Sequence, residues 1–274
     1  MSVNHFTRID GAKIRFGKIG KGKPVIILHG FPLPLTASHI LIRTLKKTFT
    51  CYFPDLPGFG KSEKLTSEHT IENYAQFVFH FAKKLKLEKF SLIGFSLGGM
   101  ISLKYAVKHQ EHLEKVVICG ACASSGKLLR RTKITVKAAL VSFKKLPFTE
   151  KIIKKGFGNQ KIIRAIWTLL EANPKDTSNT VKKTAEEISK TDLQVAAELG
   201  NDILKMKFLS DCEKIKTPAL FLAGEKDGLI PPKAVKETFL KLPKAKFLLA
   251  RGVKHSHIIN SKTAKVIEKF LQKK

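Results

Sequence analysis

Residues 90–106 read Phe90-Ser91-Leu92-Ile93-Gly94-Phe95-Ser96-Leu97-Gly98-Gly99-Met100-Ile101-Ser102-Leu103-Lys104-Tyr105-Ala106. A short apolar run stops at Gly94. One hydroxyl side chain and two glycines follow, then a stretch almost without helix breakers. The pattern predicts a strand, a very sharp turn and a helix, with Ser96 at the apex. The Gly-x-Ser-x-Gly spacing has a mechanical reason: a serine on so tight a turn is strained, and side chains at 94 and 98 would collide with the neighbouring strand and helix. The turn lifts the hydroxyl clear of the sheet. Beneath it lies the start of a helix, whose unpaired N–H groups favour negative charge. The plainer alternative is a glycine-softened turn with no chemistry.

Other runs share the character of 90–93. Val25-Ile26-Ile27-Leu28, Cys51-Tyr52-Phe53, Val116-Val117-Ile118-Cys119, Ala219-Leu220-Phe221-Leu222 and Phe247-Leu248-Leu249-Ala250 have no polar face, as strands buried on both sides of a parallel sheet require. Residues 3–19 alternate and break at Asp10-Gly11, the mark of a β-hairpin. Between the runs lie helical patterns at 71–87, 233–241 and 261–272; the first places Ile71, Tyr74, Phe77, Val78, Phe81 and Leu85 on one stripe. Alternating strand and helix implies an α/β fold with crossover connections. From Ser124 to Thr217 no buried strand run occurs, whereas helical patterns do, at 127–146 and 162–170. Residues 124–217 therefore read as a helical insertion between two sheet strands, with 1–123 and 218–274 forming the core.

A chain of 274 residues with 43% hydrophobic content suits one large domain, or a core with an inserted subdomain. No stretch approaches the roughly 18 apolar residues of a membrane span, and charged residues punctuate the first thirty positions, so the expected location is the cytoplasm. The four cysteines are too few and scattered for a disulfide framework. Cys119-Gly-Ala-Cys122 is a lone C-x-x-C; buried thiols at a strand end are preferred over a redox or zinc site. The formal charge of +29 divides almost evenly along the chain, +10 in 1–123, +10 in 124–217 and +9 in 218–274. Such evenness argues for a general surface bias rather than the concentrated patch of a specific nucleic-acid binder.

A serine hydroxyl needs a base, and the base an orienting group. Asp227 follows one buried run and His255 the next. In a parallel sheet the carboxyl ends open on one edge, so Ser96, Asp227 and His255 can converge there. His257 competes for the role of base; His255 is preferred, because the short loop after Ala250 brings it over that edge first. An oxyanion also needs donors. The backbone N–H of Leu97 is one candidate. The N–H of Phe31, in His29-Gly30-Phe31-Pro32 after the run at 25–28, is the other.

With these pieces assembled, the chain resembles the α/β-hydrolase superfamily through His29-Gly30-Phe31-Pro32, Asp55-Leu56-Pro57-Gly58-Phe59-Gly60-Lys61-Ser62, Gly94-Phe95-Ser96-Leu97-Gly98-Gly99, Gly224-Glu225-Lys226-Asp227 and Gly252-Val253-Lys254-His255. The resemblance implies a mostly parallel eight-stranded sheet, with 124–217 as the cap that builds much of the substrate pocket. It implies that Asp55 is structural. Phe95 stands where many relatives have histidine or asparagine, and Lys254 stands where glycine is common. A serine at 96 argues against haloalkane dehalogenases and epoxide hydrolases, which need a carboxylate nucleophile.

The resulting expectation is a serine hydrolase of carboxylic esters, acting on a small-molecule ester or acyl substrate held in an apolar acyl pocket, with no cofactor and no metal. A thioesterase, a lysophospholipase-like lipase or a carbon–carbon bond hydrolase would use the same groups. A ligand receptor or silent scaffold is the non-enzyme alternative. Residues 127–146 mix lysine and arginine with apolar positions, a pattern open to weak contact with an anionic membrane. The preferred reading has the apolar side of that helix covering the site and its lysines facing water.

Overall fold

The computed structural model describes residues 4–31, 39–128 and 191–273. Eight strands form one sheet: β1 His5–Ile9, β2 Ala12–Ile19, β3 Lys23–Leu28, β4 Phe49–Pro54, β5 Phe90–Phe95, β6 Leu113–Cys119, β7 Ala219–Gly224 and β8 Ala245–Ala250, in the order β1-β2-β4-β3-β5-β6-β7-β8. β1 and β2 pair antiparallel with one another, and β2 pairs antiparallel with β4; β3 to β8 run parallel. The hairpin turns at Asp10-Gly11, both at positive φ (49° and 83°), which matches the right-handed twist of two antiparallel strands.

Alternation along each parallel strand sorts the apolar residues into two layers. Ile26 and Leu28 of β3, with Val116 and Ile118 of β6, face one core; Val25 and Ile27, with Val117 and Cys119, face the other. The first layer is covered by α2 Ile71–Lys84, α3 Leu97–His109 and α5 Pro232–Phe239. The second is covered by α1 His39–Leu45 and α6 Ser261–Gln272. Among the described residues no helix is long and apolar enough to cross a membrane.

Residues 123–125 and 206–208 run side by side. Ser124 bridges Lys207 antiparallel, Ser125 N–H donates to Met206 O at 3.0 Å, and Phe208 N–H donates to Ala123 O at 3.1 Å. Helix α4, Leu193–Lys205, is started by Asp192, whose carboxylate accepts from the amides of Gln194 and Val195. The helix is docked through charge. Asp202 accepts from Ile71 N–H at 2.7 Å, at the positive end of α2, and Glu198 accepts from His69 N–H at 3.2 Å. Residues 129–146 and 162–170, read above as helical, lie outside the described residues.

Asp55, fully buried after β4, binds the Arg15 guanidinium of β2 at 2.5 Å and accepts from Lys61 N–H at 2.9 Å. It thus ties the antiparallel end of the sheet to the loop 55–62, a structural duty. Removing one partner of such a buried pair leaves a charge without its counterion, which costs about 3 kcal/mol or more. Asp55→Asn should lower the unfolding free energy by that amount, read as a lower urea midpoint at an unchanged m-value. A shift below about 0.5 kcal/mol, the range of ordinary surface substitutions, contradicts the assignment.

Candidate active site

Ser96 sits between β5 and α3 at φ 52° and ψ −115°, a conformation that a side chain adopts only when its surroundings impose it. Its own N–H donates to Cys119 O at 2.8 Å, and Gly98 N–H donates across to His29 O at 3.1 Å. A Cβ at Gly94 would stand 2.1 Å from the Gly98 carbonyl oxygen, so strand and helix approach as closely as they do only because 94 has no side chain.

The loops after β7 and β8 bring the other two groups to the same edge. His255 Nδ1 lies 2.6 Å from Asp227 Oδ2, and His255 Nε2 lies 3.0 Å from Ser96 Oγ. A carboxylate only accepts, so Nδ1 carries the proton and Nε2 is left to accept from the serine hydroxyl. Asp227 is fixed by its second oxygen, which accepts from Leu229 N–H at 2.9 Å and Ile230 N–H at 2.8 Å. The two loops are laced together: Glu225 accepts from Gly252 N–H at 2.7 Å, and Lys226 N–H donates to Val253 O at 2.9 Å. The Phe95 ring packs against the imidazole, with centroids 5.0 Å apart. Phe95 is therefore a packing residue for the His255 ring.

His255 opens a short 3₁₀ turn, His255–His257, and is buried. Two residues on, His257 Nδ1 meets Ser256 Oγ at 2.8 Å on the exposed side.

The loop after β3 passes directly against the serine turn. A Cβ at Gly30 would lie 2.8 Å from Phe95 Cδ1 and 3.0 Å from Ser96 Cβ, so a glycine is needed for that approach. Phe31 follows it. Leu97 is the first residue of α3, and its N–H belongs to the opening turn that has no acceptor within the helix. Pro32 lies outside the described residues.

A role for His29 was not read from its sequence. Its Nε2 accepts from Leu56 N–H at 2.9 Å, so its Nδ1 must be the donor to Gly30 O at 3.0 Å. The neutral ring thus pins the Gly30–Phe31 loop to the loop after β4. Burial, reinforced by the nearby Arg15 charge and opposed by the Gly30 bond, lowers its pKa to about 4. All four cysteines are free and buried; burial raises Cys119 to about 12 and Cys122 to about 11, leaving inert thiols at and just past the end of β6. Among the described residues no group of His, Cys, Asp and Glu could hold a metal ion.

Comparison with known proteins agrees with this architecture. Residues 23–261 match the family model for the alpha/beta hydrolase fold. The chain is similar to the AB hydrolase superfamily protein YisY of Bacillus subtilis, 28% identical over 254 residues that cover 88% of this chain and 84% of the relative. Among solved structures, an esterase from Exiguobacterium antarcticum superposes with a TM-score of 0.83 at 19% identity, covering 98% of this chain and all of the other. An enol-lactonase from Burkholderia xenovorans gives 0.82 at 18% identity, again covering 98% of this chain and all of the other.

The neutral His29 ring carries a pH dependence. The unfolded chain takes up this proton at the usual 6.5 and the folded one near 4, so stability is full above 6.5, falls between the two values and levels off below. The gap amounts to about 3 kcal/mol. His29→Gln keeps an acceptor for Leu56 but does not titrate. Urea unfolding at pH 7 and pH 4 should show the wild type losing more stability than the variant, by roughly that amount; equal losses would sink the idea.

Proposed function

This chain belongs to the alpha/beta hydrolase fold family, and from that premise we propose that it is a serine hydrolase of carboxylic esters. The observation that carries the reading is the His255 ring held between Ser96 Oγ at 3.0 Å and Asp227 Oδ2 at 2.6 Å. Ser96 Oγ attacks the substrate carbonyl carbon while its proton passes to His255 Nε2. Asp227 keeps the imidazole in the required tautomer and stabilises the imidazolium. The N–H groups of Phe31 and Leu97 receive the oxyanion. The tetrahedral adduct then expels the alcohol, which takes the proton from Nε2. Water, activated by the same nitrogen, releases the acid from the acyl-enzyme.

The substrate side is apolar. Phe31, 44% exposed, meets Phe59 edge to face at 6.0 Å beside the oxyanion loop, a wall suited to an acyl chain. The activities named for two similar structures, an esterase and an enol-lactonase, agree with an ester or lactone carbonyl as the target. The insertion 124–217 is the cap in this reading.

Kinetics on p-nitrophenyl esters of graded acyl length test the proposal. Ser96→Ala and His255→Ala should each lower kcat by about 10³-fold or more while the protein stays folded. His257→Ala should keep both the rate and the acidic limb of the pH profile. If Ser96→Ala retains a large part of the wild-type rate, the mechanism is wrong; if the two histidine variants exchange their effects, the base is His257. Thioesters of matched acyl length separate esterase from thioesterase.

A further inference from the structure

Along the chain the positive charge is even, but among the described residues it is not even in space. Because β3 to β8 are parallel, the turns that lead into them share the sheet edge opposite Ser96, Asp227 and His255. Those turns, at 20–23, 46–48, 85–89, 110–114, 213–218 and 240–244, hold ten lysines and four glutamates. The described loops of the other edge, at 29–31, 55–70, 120–128, 225–231 and 251–260, hold six basic and five acidic side chains. Among the described residues, lysine is thus gathered at the edge opposite Ser96.

Little of that charge is neutralised locally. Lys23 pairs with Glu114 at 3.0 Å, Lys214 with Asp211 at 2.8 Å and Lys241 with Glu213 at 2.8 Å. Lys21, Lys47, Lys86, Lys216 and Lys244 are exposed and make no ion pair among the described residues. Helix C-termini account for Lys83 and Lys84 at the end of α2, which are outside the count above. They give no reason for Lys21, in the turn between β2 and β3, or Lys23, the first residue of β3.

The composition of the edge selects its partner. The same turns contain no arginine and no Phe, Tyr or Trp, so they offer neither bidentate base readout nor a stacking platform for nucleic acid. They do contain Leu240, 68% exposed and next to Lys241, the most exposed large apolar side chain among the described residues. Many lysines around a protruding leucine match the two components of peripheral bilayer attachment, acidic headgroups and a shallow apolar layer.

We infer that this edge docks on an anionic lipid bilayer, with the lysines on the headgroups and Leu240 entering the interface. The edge bearing Ser96 then faces away from the membrane, toward substrate arriving from water. This surface is separate from the basic segment 127–146, and the inference does not depend on the esterase reading.

Flotation of the full chain with mixed phosphatidylcholine–phosphatidylglycerol vesicles and with pure phosphatidylcholine vesicles tests it. The protein should partition onto the mixed vesicles at low salt, stay off the neutral ones, and be released as salt rises. Replacing Lys46, Lys47, Lys216 and Lys244 together by glutamine should lower partition by about tenfold or more. Replacing Lys233, Lys236, Lys262 and Lys265 of α5 and α6, an equal loss of charge, should leave most of it. Leu240→Ser should also weaken partition. Both lysine variants should unfold in urea at the wild-type midpoint, which shows that they are folded. Absence of wild-type binding to mixed vesicles at low salt overturns the inference. So does an equal loss in the two lysine variants, or binding to duplex DNA without binding to vesicles.

Discussion

The backbone at Ser96 is the constraint on which the rest depends. Its φ of 52° with ψ −115° costs about 1–3 kcal/mol for a residue with a side chain, and such a conformation persists only when its neighbours over-determine it. The neighbours are β6, through the bond from Ser96 N–H to Cys119 O, and the loop after β3, through Gly98 N–H to His29 O. The sheet therefore does more than support the turn. Two of the segments flanking β5 hold it strained, with the hydroxyl lifted above the edge and the first amide of α3 beside it.

The same edge is stiffened from the sides. Asp227 has one oxygen committed to two backbone amides, which leaves the other aimed at His255. Glu225 and the Lys226–Val253 bond join the two loops, so the segments carrying Asp227 and His255 are tied to each other. His29 plays the matching part on the far side of Ser96. Because its ring is buried and neutral, it can accept from Leu56 and donate to Gly30 at once. A charged ring could not accept, and the Gly30–Phe31 loop would lose its tie to the loop after β4.

Much of the fold was legible because its strands are buried on both faces. Such strands stand out as apolar runs, and the alternation of those runs with helical stripes implies a parallel sheet. Their limits were less visible: β4 extends to Phe49–Pro54 rather than 51–53, since flanking residues pair through backbone atoms that sequence does not display. Helix α1 was not read at all, being a seven-residue element with only Leu41, Ile42 and Leu45 buried. At the site, Ser96, Asp227 and His255 could be singled out as strand-end residues, and the fold brings their side chains within hydrogen-bonding distance. The pin made by His29 was hidden because its partner, the Leu56 amide, is 27 residues away. The lacing by Glu225 and the docking of α4 through Glu198 and Asp202 were hidden for the same reason. The gathering of lysine at one edge was invisible because the turns that carry it are far apart in the chain.

The central claim is that Ser96 is a nucleophile activated by His255 and Asp227, and a mechanism-based label tests it most directly. A fluorophosphonate reacts with a serine only where a base removes the proton and an oxyanion site receives the phosphoryl oxygen. Intact-mass measurement of the wild type after incubation with the reagent should show one adduct, and peptide mapping should place it on Ser96, with none on Ser96→Ala. No adduct on the folded wild type, or an adduct on another serine that persists in Ser96→Ala, would contradict the assignment.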